Sequence, residues 1–208
     1  MLVERKDTFN KIVQFFKVPH FRGLVIRILY NISLEEKAKP LFVDTDCLYI
    51  LYELLIKFPE PIIGIELAAL TLNLTTYSQN AQILATGDRL KDLLNRAFKN
   101  NDFHLIKIIK NIAKYSEDDS INEIFEKFID DFVKIIHTRS EQEDFLKEIV
   151  EILANIETDW IEKIKKHDLI KFFERYLKDE KTYDELLHQI ILFLGNIASS
   201  SVRINILN

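Results

Sequence analysis

Ile28-Leu29-Tyr30-Asn31-Ile32-Ser33 sets an asparagine inside an apolar helical pattern, and the arrangement returns at Asn73, Asn111, Asn155 and Asn196. The asparagines are separated by 42, 38, 44 and 41 residues, which is the period of a stacked helical repeat. The residue three before each is Ile28, Leu70, Ile108, Ile152 or Phe193, and the residue six before is Val25, Leu67, Leu105, Ile149 or Ile190. Just after stand Ile32, Leu74, Ile112, Ile156 and Ile197. Three-then-four spacing puts all of these on one helix face, so each asparagine lies beside a stripe that must be buried.

Working outward, each asparagine helix is the last of three. Residues 34–75 read as a short segment with Leu41 and Phe42, a helix starting after Asp46, and the Asn73 helix. The order returns in 76–113, 114–156 and 157–198, with Asp88, Asp131 and Asp168 in the place of Asp46. A carboxylate there suits the N–H groups and positive dipole end of a helix start, so the four aspartates are expected to be N-caps. Residues 1–33, opening with Glu4 and Arg5, read as a partial unit whose first helix ends at Pro19. The tail 199–208, with Val202, Ile204, Ile206 and Leu207, reads as the opening helix of another. With neither end polar, the chain is expected to be a segment of a longer protein. Pro61 suits the first turn of the Asn73 helix.

The fold class is therefore all-α, a single solenoid of about four three-helix repeats with partial repeats at both ends. Four Gly and four Pro in 208 residues leave no flexible linker, and no alternating strand pattern appears. A formal net charge of -5 speaks against a general phosphate-backbone binder. The lone Cys47 removes any intrachain disulfide framework and fits a reducing compartment, and no leader or membrane-length apolar run is visible. Cys47 reads as a buried packing residue and Trp160 as the anchor of a short first helix. His20, His104, His137, His167 and His188 are scattered without ligand spacing and no phosphate loop exists, so no catalytic residue, cofactor or metal is expected.

A unit of about forty residues with one short and two longer helices is the armadillo plan, whereas the HEAT unit has two helices. In armadillo proteins the third helices line a groove, and their asparagine amides can pair with the backbone of an extended peptide. An amide suits this because it offers a donor and an acceptor to any peptide group. Helices pack about 8–10 Å apart and an extended chain advances about 3.3–3.6 Å per residue, so about three ligand residues would pass each repeat.

Particular words narrow the branch: Ile28-Leu29-Tyr30 with Ile32-Ser33, Phe42 with Thr45-Asp46-Cys47, Arg96-Ala97-Phe98-Lys99, and Leu153-Ala154-Asn155 followed by Asp159-Trp160. From about residue 21 to 198 the chain resembles, in register, the kinesin-associated protein family, the non-motor armadillo subunit of heterotrimeric kinesin-II. Phe58-Pro59-Glu60-Pro61 and the acidic residues 116–131 depart from that family's pattern. The resemblance implies a non-catalytic adaptor that clasps kinesin-II heavy-chain tails and links the motor to cargo adaptor proteins. It further implies a cytoplasmic, microtubule-associated place of work in the cilium or flagellum, in intraflagellar transport, without nucleic acid or membrane insertion.

The candidate partner-binding groove comprises Asn31, Asn73, Asn111, Asn155 and Asn196 with Arg27, Glu66, His104, Lys107, Glu148 and Glu151. The positions four before the asparagines are Arg27, Ala69, Lys107, Glu151 and Leu192. Nuclear-import adaptors place tryptophan there, and its absence argues against an import-signal receptor. Mixed charge suits a partner with both signs. Acidic residues 116–159 followed by Lys163, Lys165, Lys166, Lys171, Arg175, Lys178 and Lys181 form a second feature, open to partner docking or to plain solvation. Two other readings stay open: a different armadillo adaptor for an extended peptide, catenin-like or in trafficking, and a helical regulatory subunit of an enzyme complex.

Overall fold

A computed structural model describes residues 2–116, 118–139 and 141–207, with side chains described for 6–199 apart from 117 and 140. The side chains of Glu4, Arg5, Val202, Ile204, Ile206 and Leu207, singled out above, lie outside the described residues. All regular structure among the described residues is helical. Contacts gather it into two compact units, residues 1–121 and 122–208.

In the first unit, α1 (Leu2–Gln14) leads through two 3-10 turns to α2 (Arg22–Ser33). The break at Val18 is extended (φ -98°, ψ 107°), as a residue before proline must be. Two complete three-helix repeats follow: α3 (Pro40–Val43), α4 (Cys47–Ile56) and α5 (Ile65–Leu74), then α6 (Ser78–Ala85), α7 (Arg89–Asn100) and α8 (Phe103–Tyr115). Each helix packs on its counterpart one repeat on, α2 on α5, α5 on α8, α4 on α7 and α3 on α6. This is how a solenoid shares its core between neighbours. The stripe beside Asn73 and Asn111 is buried, Leu67, Leu70, Leu74, Leu105, Ile108 and Ile112 all lying in the core, whereas beside Asn31 only Val25 is, Ile28 and Ile32 being half-buried and Leu29 taking the core position.

In the second unit, α9 (Asp119–Lys127, which spans the division), α10 (Ile129–Thr138) and α11 (Glu143–Ala154) are followed by α12 (Trp160–His167), α13 (Leu169–Lys178) and α14 (Asp184–Leu207). α11 packs on α14. Trp160 is buried, its ring 4.9 Å from that of Phe193 and its Nε1 donating to the Ile156 carbonyl at 3.2 Å. Cys47, in the first unit, is also buried, and burial pushes its thiol pKa up, so it carries no reactive thiolate.

Three expectations need correction. Asp46, Asp88 and Asp168 do stand at the N-cap positions of α4, α7 and α13, but none of their carboxylates accepts a capping hydrogen bond, and Asp131 lies inside the first turn of α10. Asp168 is left-handed at φ 52° and joins α12 to α13 through its backbone. Carboxylates that do accept from helix-start N–H groups are Asp102, from His104 and Leu105, Asp159, from Ile161, and Asp118 just before α9, from Ser120. The reason is backbone geometry. An N-cap is normally extended, as Asp102 (ψ 100°) and Asp159 (ψ 97°) are, whereas Asp46 and Asp88 both have ψ 0°.

Pro61 does not open α5, which starts at Ile65 after an extended Gly64. The preceding loop is held instead by the next repeat, as described below. Nor does the tail start a new helix: α14 continues unbroken to Leu207, with the Ser199 hydroxyl donating to the Gly195 carbonyl at 2.9 Å. Nothing after Ala198 breaks a helix, since the only residues there are Ser, Val, Arg, Ile, Asn and Leu.

The separation of charge along 116–181 has a local meaning in the second unit. Lys163 donates to Glu126 at 2.8 Å, Lys166 to the Asp130 carboxylate at 2.6 Å, and His167 lies 2.8 Å from its other oxygen. Acidic α9–α10 and basic α12 therefore neutralise each other across one repeat spacing. Those contacts hold the Asp130 carboxyl below the usual carboxylate range, through Lys166 first and His167 second, and Lys163 does the same for Glu126.

Candidate functional site: the α2–α5 cleft

Two successive asparagine helices of the first unit enclose a shallow cleft of about 430 Å³. From α2 it takes Ile26, Arg27, Tyr30 and Asn31, and from α5 Ile65, Glu66 and Ala69. These are i, i+3 and i+4 neighbours on each helix, which is why one face of each supplies them together. Arg27 Nε donates to Glu66 Oε1 at 2.8 Å, with Nη2 also at 2.8 Å. Both side chains stay in water, 68% and 47% exposed, so the pair is weak and exchangeable for a partner's charges. Ile65, 72% exposed, supplies an apolar wall.

The asparagines divide by what they bond. Asn73 Nδ2 donates to the Ser33 hydroxyl at 2.8 Å, and Asn111 Nδ2 to the Leu72 carbonyl at 3.0 Å and Thr75 Oγ1 at 3.2 Å. Each thus ties its helix to the end of the preceding asparagine helix, where the last carbonyls lack intrahelical donors. In the second unit Asn196 does the same to the Ala154 carbonyl at 3.0 Å. Asn155 instead lies just past the end of α11 and donates to the Glu151 carbonyl of its own helix at 2.7 Å. Asn31 is exposed, and its amide forms no hydrogen bond among the described residues.

The structure therefore gathers Arg27, Asn31 and Glu66 into one cleft and places the rest elsewhere. His104 faces the Ile63 carbonyl through Nδ1 at 2.9 Å, as the N–H tautomer, and Lys107 lies 4.4 Å from the centre of the Phe103 ring. Glu148 is buried at 4% exposure, with Lys147 4.0 Å away, and Glu151 is half-buried on α11. The sequence reading did not find Ile26, Tyr30 and Ile65. Their signal was available, since Ile65 precedes Glu66 on a helix whose buried stripe begins only at Leu67.

Among the described residues, no three His, Cys, Asp or Glu side chains gather where a metal ion would be held, and no helix is long and apolar enough to cross a membrane. What the cleft offers is one amide, one separable ion pair and an apolar wall. Compared with known families, residues 4–207 match the kinesin-associated protein (KAP) model. That match spans both units and nearly the whole of the repeat array, so the chain belongs to the kinesin-associated protein family.

Proposed function

We propose that this chain is a non-catalytic scaffold subunit of heterotrimeric kinesin-II, binding heavy-chain tails and linking the motor to cargo adaptor proteins in microtubule-based intraflagellar transport. Its membership of the kinesin-associated protein family supports a role beside a kinesin. The observation that carries the finer reading is the α2–α5 cleft. There the unbonded Asn31 amide stands beside the exposed Arg27–Glu66 pair, ready to take an extended segment with both charge signs. An incoming carboxylate competes for Arg27 while an incoming cation takes Glu66, and the amide pairs with the segment's backbone.

Co-purification with tagged kinesin-II heavy-chain tails tests this. The wild-type chain should retain the tails, Arg27→Glu should lower retention about tenfold, and Asn31→Ala about threefold, in line with one charged and one neutral hydrogen bond. Both residues are exposed, so circular dichroism should be unchanged. Tails that fail to bind, or that bind Arg27→Glu as well as wild type, would place the contact elsewhere.

A further inference from the structure

A second, larger cavity of about 810 Å³ lies in the first unit between the α1–α2 connection, α2 and α4, sharing Ile26 with the α2–α5 cleft. Its apolar lining includes Phe16, Ile26, Leu54, Phe58 and Leu67. The charged residues lining it are Lys17, Arg22 and Lys57 against one carboxylate, Glu53, which is itself paired with Lys57. Arg22 Nε is held by the Phe16 carbonyl at 3.1 Å, and Lys17 is exposed. The cavity is thus greasy inside and carries uncompensated positive charge.

The following seam explains why this space is open. There Arg96 of α7 reaches back to the carbonyls of Ile56 (3.3 Å), Phe58 (3.2 Å) and Glu60 (2.8 Å), so its side chain plugs the junction between repeats. At the spacing of 42 residues that relates Asp46 to Asp88 and Phe16 to Phe58, the counterpart of Arg96 is Leu54. Leucine is shorter and has no donor, so the earlier junction lacks its plug. An apolar lining with few polar groups and a volume within the roughly 300–1,000 Å³ of drug-sized ligand pockets leaves ample room for one bulky side chain.

We propose that this cavity is a docking pocket for a partner protein segment that presents a bulky apolar side chain flanked by acidic residues. The apolar side chain fills the volume that Arg96 fills one seam on, and the acidic flanks meet Lys17 and Arg22.

Fluorescence anisotropy of the 208-residue chain tests the pocket with a labelled synthetic peptide, a central Trp-Leu between aspartates, beside versions with asparagine or lysine replacing the aspartates. The aspartate peptide should bind in the micromolar range, the asparagine version about tenfold more weakly and the lysine version more weakly still. Leu54→Arg, which installs the plug, should weaken binding about tenfold or more. Lys17→Glu, on the surface and without effect on the fold, should weaken it about fivefold. Arg27→Glu, in the other cleft, should leave this peptide's affinity unchanged, which keeps the two sites distinguishable. No binding, equal binding of the aspartate and asparagine peptides, or affinity untouched by both Leu54→Arg and Lys17→Glu would overturn the proposal. So would concentration-dependent self-association that Leu54→Arg abolishes, which would assign the pocket to a second copy.

Discussion

In residues 1–121 the repeats are joined by buried polar groups, whereas in 122–208 they are joined by charges that water can reach. Besides the exposed Lys6–Asp44 and Arg27–Glu66 pairs, the first unit's seams hold Ser33, Lys39, Thr75, Asn80 and Asp102, all buried and each bonded to a neighbouring repeat. Among the described residues of the second unit the buried polar groups are Glu148 and Thr182, and its seams carry Lys163–Glu126, Lys166–Asp130 and Lys147–Glu185. The difference matters because a buried donor that loses its acceptor has no substitute, whereas water replaces an exposed partner at little cost. The first unit should therefore be the more sensitive to single substitutions and the less sensitive to salt, and the second the reverse.

The sharpest test is Asp102. Its carboxylate is buried at 0% exposure and accepts three N–H groups, Ile63 at 2.8 Å, His104 at 3.0 Å and Leu105 at 3.2 Å. Ile63 belongs to the loop of the preceding repeat, so one side chain both caps α8 and holds the seam. Asp102→Ala leaves all three donors unpaired and should cost the first unit about 3 kcal/mol or more. Hydrogen exchange of α5 and α8 should accelerate accordingly. Protection within about tenfold of wild type would show that apolar packing alone holds this seam.

A smaller effect separates asparagines that look alike in sequence. Asn111→Ala removes two bonds from half-buried Asn111 to the end of α5 and should cost about 1 kcal/mol. Asn155→Ala removes one exposed bond within its own helix and should cost about 0.5 kcal/mol or less. Equal losses in chemical denaturation would break the distinction between amides that tie repeats and amides that do not.

That pair shows where the sequence was legible. The asparagine period, the apolar positions three and six before it and the three-helix unit follow from helical periodicity, and the helices lie within a few residues of where periodicity puts them. The caps were misjudged because Asp46 and Asp102 are the same residue type, and only ψ, 0° against 100°, decides which carboxylate can turn back to the helix start. The partners of the asparagines were hidden for a related reason. Whether an amide meets Ser33, Leu72 or its own Glu151 depends on where the neighbouring helix ends, and α11 ends one residue before Asn155 while α8 runs past Asn111. Charge along 116–181 was visible, but its pairing needed the fold to bring residues 36 and 37 apart together.

The smallest effect tests the second unit's exposed seam, and Trp160 makes it measurable. It is the chain's single tryptophan and is buried within that unit, so its fluorescence follows the packing of 122–208. The side chains of Glu126 and Asp130 are 44% and 61% exposed, so screening leaves their pairs together worth about 1 kcal/mol or less. In 1 M salt, where the Debye length falls to about 3 Å, the midpoint of that fluorescence should drop by a few degrees while hydrogen exchange in α5 and α8 changes less. Acid should act in the same direction. Both carboxyls are held below their unfolded values, so their contribution is complete above about pH 4.5 and fades as pH falls through the lower folded values. Asp130→Asn removes one titrating group and should flatten that decline without shifting the midpoint much at pH 7. A Trp160 midpoint indifferent to both salt and acid would mean that the contacts of α11 with α14 hold this unit together and that its ion pairs only decorate the surface.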